Sequence, residues 1–191
     1  MIGKQAKTVT PASLLKMLAY CRTTRQPERD KVIVLLSVKA GLRACEIAGL
    51  QWSMVTDEKG GIGDLINIRN SIAKKGHGRR IPMHGDLRQA LAALWRVRRS
   101  DEHVIASNRG GSLRANSVVN FFVAMFDELG IDGCSSHSGR RTFITTAARN
   151  VHRAGGSLRD VQMLAGHASI ETTQRYIDGD SVSQRRLVGM L

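Results

Sequence analysis

The chain has 191 residues, which is enough for one domain with a hydrophobic core of its own. Its 29 Lys and Arg against 16 Asp and Glu give a formal charge of +13, which predicts a polyanionic partner: DNA, RNA or an anionic membrane. The apolar fraction of 42% excludes a disordered chain, and no apolar run approaches the roughly 20 residues that span a bilayer.

Helical patterns dominate the first fifty residues. Thr10 followed by Pro11 is typical of a helix start, because threonine caps free amide groups and proline fits the first helical position. A second helix is expected from about Pro27 to Ala40, ended by Gly41, and a short third helix would carry Arg43 to Ala48.

The middle of the chain changes to the alternating pattern of strands. Short strands are predicted at residues 65–68 and 71–74, followed by a turn at 76–78 and a returning strand from Arg79 to Met83. Residues 104–105 indicate a further short strand. These segments predict a small β-sheet whose hairpin tip is rich in cations.

The helical pattern resumes at about Asp86, and no Pro- or Ser-rich linker interrupts the chain. Further helices are expected at residues 114–129, 137–150, 157–165, 169–177 and 182–190. The predicted fold class is therefore mainly α with a small antiparallel β-sheet (α+β), in one domain.

Cysteine and histidine spacing argues against disulfides and metal sites. Cys21, Cys45 and Cys134 are widely spaced and odd in number, and neither CxxC nor HExxH occurs. The N-terminus has no apolar segment of a secretory signal, so a cytoplasmic location is expected.

Two Arg-containing pairs have the spacing of neighbours on one helical face. His137 and Arg140 would stand side by side near a helix start, capped by Ser135 or Ser136, where backbone amides favour an anion. Taken alone, this segment is better explained as a solvated basic helix. Arg43 and Glu46 are three residues apart in an apolar neighbourhood; Glu46 could orient the Arg43 guanidinium or form a plain surface salt bridge.

His167 and Tyr176 are nine residues apart, which on one straight helix would place them on opposite faces. They can serve one site only if a helix starts between them, and Ser169 is a suitable cap. His167 is then expected at the end of a loop and Tyr176 near the end of a short helix. The other tyrosine, Tyr20, is expected in the core.

Five segments carry these residues: GLRACEI, AKKGHGRRIP, HSGRRT, LAGHASI and TTQRY. In this order they resemble the catalytic domain of the tyrosine recombinases, or phage-type integrases, from about Thr10 to the C-terminus. The resemblance implies the catalytic-domain fold of DNA breaking–rejoining enzymes. It departs at Ser138 and Gly139, where the family commonly has an acidic residue and leucine; Gly139 is expected to loosen the helix start.

The resemblance also assigns roles. Arg43, Arg140, His137 and His167 would hold the phosphodiester oxygens, with Glu46 in support, and Tyr176 would be the nucleophile. Counting back from Pro82 selects Lys74 rather than Lys75 as the acid for the leaving oxygen; the alternative for either lysine is a DNA contact. The further DNA contacts expected are Lys75, Arg79, Arg80, Arg141, Arg153 and Arg159.

The implied function is DNA recombination by a site-specific enzyme of a mobile element, acting in integration, excision or inversion. It proceeds through a 3′-phosphotyrosine intermediate without metal, ATP or other cofactor. The alternatives are a type IB topoisomerase-like enzyme and a non-catalytic basic DNA-binding regulator. A general RNA-binding protein is disfavoured, because aromatic residues are few.

The expected organisation is an extension or linker at residues 1–9, a catalytic domain at 10–178 and a tail at 179–191 that docks on its own domain or on a neighbouring protomer. The family's N-terminal core-binding domain is expected to be absent. Expected partners are double-stranded DNA, further copies of the chain in a tetramer on DNA and accessory DNA-bending proteins, with no membrane. The expected location is the cytoplasm, in association with the nucleoid.

Overall fold

The computed structural model describes residues 6–73, 76–98, 101–107, 110–176 and 188–189. Within these ranges none of the helices is both long and apolar enough to cross a membrane. The elements are, in order, α1 (Pro11–Cys21), α2 (Pro27–Ala40), α3 (Ala44–Ala48), β1 (Leu65–Ile68), β2 (Arg79–Pro82), α4 (Gly85–Arg98), α5 (Ala115–Glu128), α6 (Ser138–Asn150), α7 (Leu158–Ala165) and α8 (Ile170–Gln174).

The predicted fold class is confirmed. Helices dominate, and β1 and β2 pair antiparallel, with Leu65 opposite Pro82 and Ile68 opposite Arg79. All three cysteines are free thiols, and burial is the main cause that raises the pKa of Cys21 to about 12.

The helix boundaries follow local chemistry. Thr10 Oγ1 accepts a hydrogen bond from the Ser13 amide at 3.1 Å and starts α1 as predicted. Gly41 ends α2 in the left-handed conformation, at φ 65°. A Cβ there would lie 2.5 Å from Cδ1 of Phe143, so both the backbone and the packing require glycine.

Three of the predicted elements differ. The expected strand at 71–74 is wrong for residues 71–73: the amides of Ile72 and Ala73 both donate to Arg69 O, which forms a turn. Residues 104–105 are no strand either, because only isolated bridges flank them. The helix expected at 169–177 ends earlier, at Gln174. The helix expected at 182–190 lies outside the described residues except for 188–189.

Helix α2 is the centre of the larger core. Its run from Val32 to Leu36 is at most 1% exposed, because α1, α4 and α6 cover it on several sides. A smaller cluster joins α6 and α7 through Ile144 and Val161, and Tyr176 packs against it. Helix α6 therefore contacts both clusters, through Phe143 and the residues that follow it.

Candidate active site

The start of α6 is built by serines. The amide of Ser135 donates to Ser138 Oγ at 2.9 Å, and the amide of His137 donates to Ser135 Oγ at 3.3 Å. The prediction that Ser135 or Ser136 caps this helix is wrong: the N-cap position is occupied by His137, and no side-chain cap hydrogen bond is made there. His137 is exposed at this end, whereas Arg140, one turn further on, is buried.

Gly139 brings α6 against α2. A Cβ at this position would lie only 2.2 Å from Ser37 Oγ, so only glycine permits the approach. The structure shows a packing role for Gly139 that the sequence did not indicate, since the residue is buried in a close contact between two helices; the expected loosening of the helix start stays a prediction. This contact fixes the direction in which Arg140 leaves the helix.

Arg140 connects the ends of two other helices to the site. The residue is 4% exposed, and its guanidinium donates to Gly41 O at 2.7 Å and to Ala165 O at 2.6 Å. Burial, and then the nearby charges of Arg43 and Arg79, lower its pKa to about 10, so it still carries its charge at neutral pH. A guanidinium has five N–H groups, so two carbonyl bonds leave donors for an anion.

Glu46 is a fully buried carboxylate that binds two arginines. Arg43 donates to it from the backbone amide at 2.9 Å and from Nη1 at 3.0 Å, and Arg79 donates from Nη1 at 2.8 Å and from Nη2 at 3.0 Å. Burial alone would raise the pKa of Glu46, but the bonds and charges of Arg79 and Arg43 outweigh it and lower the pKa. The pair Arg43–Glu46 is therefore an internal ion pair of the site rather than a surface salt bridge.

Arg79 was expected to contact DNA, but the structure places it inside the site. Its side chain is 5% exposed, and Nε donates to Leu164 O at 2.8 Å in addition to the bonds to Glu46. A signal for this was present in the sequence: in a strand, Arg79 shares a face with the buried Ile81, whereas Arg80 and Pro82 face outward.

The predicted helix break between His167 and Tyr176 is confirmed. Helix α7 ends at Gly166 with φ 61°, and α8 begins after Ser169. Nδ1 of His167 lies 2.9 Å from Thr173 Oγ1, and its ring stacks on that of Tyr176 with centroids 5.6 Å apart. Both side chains therefore belong to one site.

His167 is neutral at physiological pH. Burial lowers its pKa to about 4, and the charges of Arg140, Arg43 and Arg79 add to the effect. When Thr173 donates to Nδ1, the proton of the ring is on Nε2, where it can be donated to an anion. The Arg141 guanidinium carbon lies 5.7 Å from the Tyr176 ring centroid, a cation–π distance.

These side chains line one cleft of about 410 Å³. Its charged lining residues are all arginines, so it favours an anion. Five of the six side chains predicted to be catalytic line it, together with Ala6, Arg141, Thr172 and Arg175; those five are Arg43, His137, Arg140, His167 and Tyr176. Lys74 and its alternative Lys75 lie outside the described residues.

Three of the remaining predicted DNA contacts are described by the structure, and none of them lines this cleft. Arg80 and Arg159 are exposed and line a neighbouring cleft of about 550 Å³, between the hairpin and α7. Arg153 is exposed on a short 3-10 turn at residues 152–154. Among the described residues, no three His, Cys, Asp or Glu side chains are close enough to hold a metal.

Comparison with known proteins gives consistent matches. The model of the phage integrase family matches residues 7–181. The tyrosine recombinase XerC of Corynebacterium efficiens is 30% identical over 177 residues, which are 89% of this chain and 52% of the relative. The tyrosine recombinase XerA of Thermococcus onnurineus is 30% identical over 174 residues, 89% of this chain and 57% of the relative. The chain thus spans about half the length of the curated relatives it matches.

Solved structures share the fold. A crystal structure of XerA recombinase superimposes with a TM-score of 0.75 at 23% identity, covering 96% of this chain and 64% of the other. A lambda integrase dimer bound to a COC′ core site gives a TM-score of 0.72 at 21% identity, covering 92% and 49%. The two-stranded sheet and its surrounding helices are therefore arranged here as in these recombinases.

Proposed function

The chain belongs to the phage integrase family, and from this we propose that it is the catalytic part of a site-specific DNA recombinase. It cuts and rejoins DNA strands through a 3′-phosphotyrosine intermediate, in integration, excision or inversion. The observation that carries the proposal is the cleft that Tyr176 lines together with two arginines and two histidines. Arg140 comes from α6, and the other three come from the segments that precede α3, precede α6 and follow α7.

The cleft suits the charge that develops on an attacked phosphodiester. Arg43 and Arg140 bind the non-bridging oxygens, and His137 and His167 donate further hydrogen bonds. Glu46 keeps Arg43 in place and lowers the net positive charge that the buried part of the site must accommodate. The arginines are ordered before any substrate arrives, so little reorganisation is needed at the moment of reaction.

The reaction balances without an external energy source. The hydroxyl oxygen of Tyr176 attacks phosphorus, a phosphotyrosine bond forms, and the bond to the 5′ oxygen breaks. His137 accepts the phenolic proton, and Lys74 gives a proton to the 5′ oxygen. The 5′ hydroxyl of a second strand then attacks the phosphotyrosine, which restores a phosphodiester and releases the tyrosine.

Double-stranded DNA is the proposed substrate. The formal charge of +13 favours binding by neutralisation of several phosphates, so affinity falls steeply with salt. The proposed backbone contacts are Lys75, Arg80, Arg141, Arg153 and Arg159. Arg79 is left out, because its guanidinium is bound to Glu46 and Leu164.

The proposed organisation assigns residues 10–178 to the catalytic domain and 179–191 to a docking tail. The assembly on DNA is proposed to be a tetramer of this chain, assisted by DNA-bending proteins, on the nucleoid in the cytoplasm. These proposals follow from family membership, since strand exchange needs two duplexes held together.

The test is covalent capture of DNA. The chain is incubated with an end-labelled pool of nicked duplexes of random core sequence. After cleavage, the short downstream fragment that carries the new 5′ hydroxyl diffuses away, which traps the covalent intermediate. We expect an SDS-stable adduct in the wild type and in Tyr20→Phe, since Tyr20 is the only other tyrosine and does not line the cleft. Tyr176→Phe should form none, and Arg140→Ala should form none while retaining most DNA binding.

Sequencing of the trapped strands separates the alternatives. A shared sequence at the cleavage point supports a site-specific recombinase. Adducts without sequence preference, together with relaxation of supercoiled plasmid and no recombinant product, favour a topoisomerase-like enzyme. DNA binding with no adduct in the wild type leaves a non-catalytic DNA-binding protein.

A further inference from the structure

The Glu46 carboxylate receives as many hydrogen bonds from Arg79 as from Arg43. Both terminal nitrogens of Arg79 bind it, one to each carboxylate oxygen, at 2.8 and 3.0 Å. This two-pronged geometry fixes the plane of the carboxylate as well as its position. The direction of the Arg43 guanidinium, which binds Oε1 of the same group, therefore depends on Arg79.

Arg79 also holds the other side of the cleft. Its Nε donates to Leu164 O at the end of α7, three residues before His167. Its side chain packs against Gly166, where an added Cβ would lie 3.0 Å from Arg79 Cδ. The neighbouring carbonyl, of Ala165, accepts from Arg140. One side chain on β2 thus joins α3 to the segment that carries His167.

We propose that Arg79 is a positioning residue for DNA strand cleavage, acting through Glu46 on Arg43 and through Leu164 on His167. This rests on the proposed function. The side chain of Arg79 is 5% exposed, and its guanidinium is bound to two groups, the Glu46 carboxylate and the Leu164 carbonyl, through which it acts on the site. In the sequence Arg79 lies five residues after Lys74, the proposed acid, and it is the first residue of β2.

Lysine cannot replace arginine in this role. A single ammonium group can hold one carboxylate oxygen but not both, and it cannot reach the Leu164 carbonyl at the same time. Arg43 and the His167 loop would then be free to shift relative to each other. A misplacement of about 1 Å at a reacting centre can cost about 100-fold in rate.

The experiment compares Arg79→Lys with wild type in single-turnover cleavage of the nicked duplex that the wild type traps. Rates are measured over a range of protein concentrations, so that the rate at saturation is separated from DNA affinity. The matched control is Arg88→Lys, since Arg88 also donates from Nε to a carbonyl, of Ile62, and from Nη1 to a carboxylate, of Asp64, but lies away from the cleft.

We expect Arg79→Lys to cleave roughly 10- to 100-fold more slowly at saturation, with an affinity for DNA within about threefold of wild type. Arg88→Lys should match wild type in both. Glu46→Gln should also be slow, and the double variant Arg79→Lys/Glu46→Gln should be no more than about threefold slower than the slower single variant, because both act through one network.

Three results would overturn the proposal. The first is an unchanged saturating rate in a folded Arg79→Lys. The second is a loss of affinity with that rate intact, which makes Arg79 a DNA contact. The third is a double variant whose effects are simply additive. A wild type that forms no adduct refutes the proposed function itself, and with it any role of Arg79 in cleavage, whereas these three outcomes refute the Arg79 assignment alone.

Folding is monitored by thermal melting of each variant. If Arg79→Lys does not fold, Arg79→Ala is assayed with added guanidinium ion, which can occupy the vacated position between Glu46 and Leu164. Recovery of cleavage by guanidinium and not by ammonium supports the proposal. A lack of recovery reduces Arg79 to a stability element and contradicts it.

Discussion

Replacement of Gly139 by alanine tests whether the close contact between α6 and α2 requires glycine at this position. The new Cβ would lie 2.2 Å from Ser37 Oγ and 2.9 Å from Ser37 Cβ, and both are closer than Cβ atoms approach in proteins. Either α6 must move away from α2 or Ser37 must shift within a fully buried helix face. In the first case Arg140, the next residue, moves with α6.

The size of the effect follows from two opposed contributions. Overpacking of a well-filled interior costs about 1–3 kcal/mol. Replacement of a helical glycine by alanine returns up to about 1 kcal/mol, and less near a helix start. We therefore expect Gly139→Ala to lower the free energy of unfolding by about 1–2 kcal/mol and to slow adduct formation, because Arg140 loses its alignment with Gly41 O and Ala165 O.

The assay is urea denaturation of four variants, paired with the adduct assay. Gly85→Ala is the control, because Gly85 begins α4 and an added Cβ there meets nothing within 4 Å. Ser37→Ala should be neutral or stabilising on its own, since Ser37 Oγ is buried and has no hydrogen-bond partner among the described residues. Combined with Gly139→Ala it removes the shortest contact and should recover part of the lost stability.

The reasoning is refuted if Gly139→Ala is as stable as Gly85→Ala. It is also refuted if Ser37→Ala restores nothing in the double variant. In either case the contact between α2 and α6 would not be what requires glycine at this position.

Two further predictions follow from particular groups. The free energy of unfolding should fall as pH decreases from about 6.5 to about 4, because over this range His167 is protonated in the unfolded chain but not in the folded chain, where its pKa is about 4. Denaturation at several pH values should show a smaller decrease for His167→Gln than for wild type. Equal pH dependence in the two proteins would contradict the assignment. Thr10→Ala should lower the free energy of unfolding, measured by urea denaturation, by about 1 kcal/mol, because Thr10 Oγ1 caps α1 at the Ser13 amide. A decrease below about 0.3 kcal/mol would contradict this, since it would show that solvent replaces the cap at little cost.

Sequence alone predicted those features that depend on local chemistry. The start of α1 at Thr10 and Pro11 and the end of α2 at Gly41 follow from capping rules, and these are the observed boundaries. The break between His167 and Tyr176 followed from helix geometry together with the cap residue Ser169. The class of the fold could be predicted because its helices are long enough for their periodicity to be visible.

Features that depend on distant partners could not be predicted. Gly139 was interpreted as loosening a helix, because nothing near it in sequence indicates the contact with Ser37. Arg79 was grouped with the DNA contacts because every arginine of a cationic hairpin has the same local signature. The strand expected at residues 71–74 fails at 71–73, because the amides of Ile72 and Ala73 donate to Arg69 O in a turn that no periodicity shows.

The single carboxylate of Glu46 faces Arg43 and Arg79 directly, and Arg140 carries a third charge close by. The site thus contains more positive than negative charge in a confined volume, and the mutual repulsion of these charges lowers the free energy of unfolding. Under the proposed function the same arginines bind the phosphodiester, so stability and activity place opposite demands on them. Selection for a more stable protein would be expected to remove positive charge here first, and in doing so to yield a more stable protein without the proposed DNA cleavage.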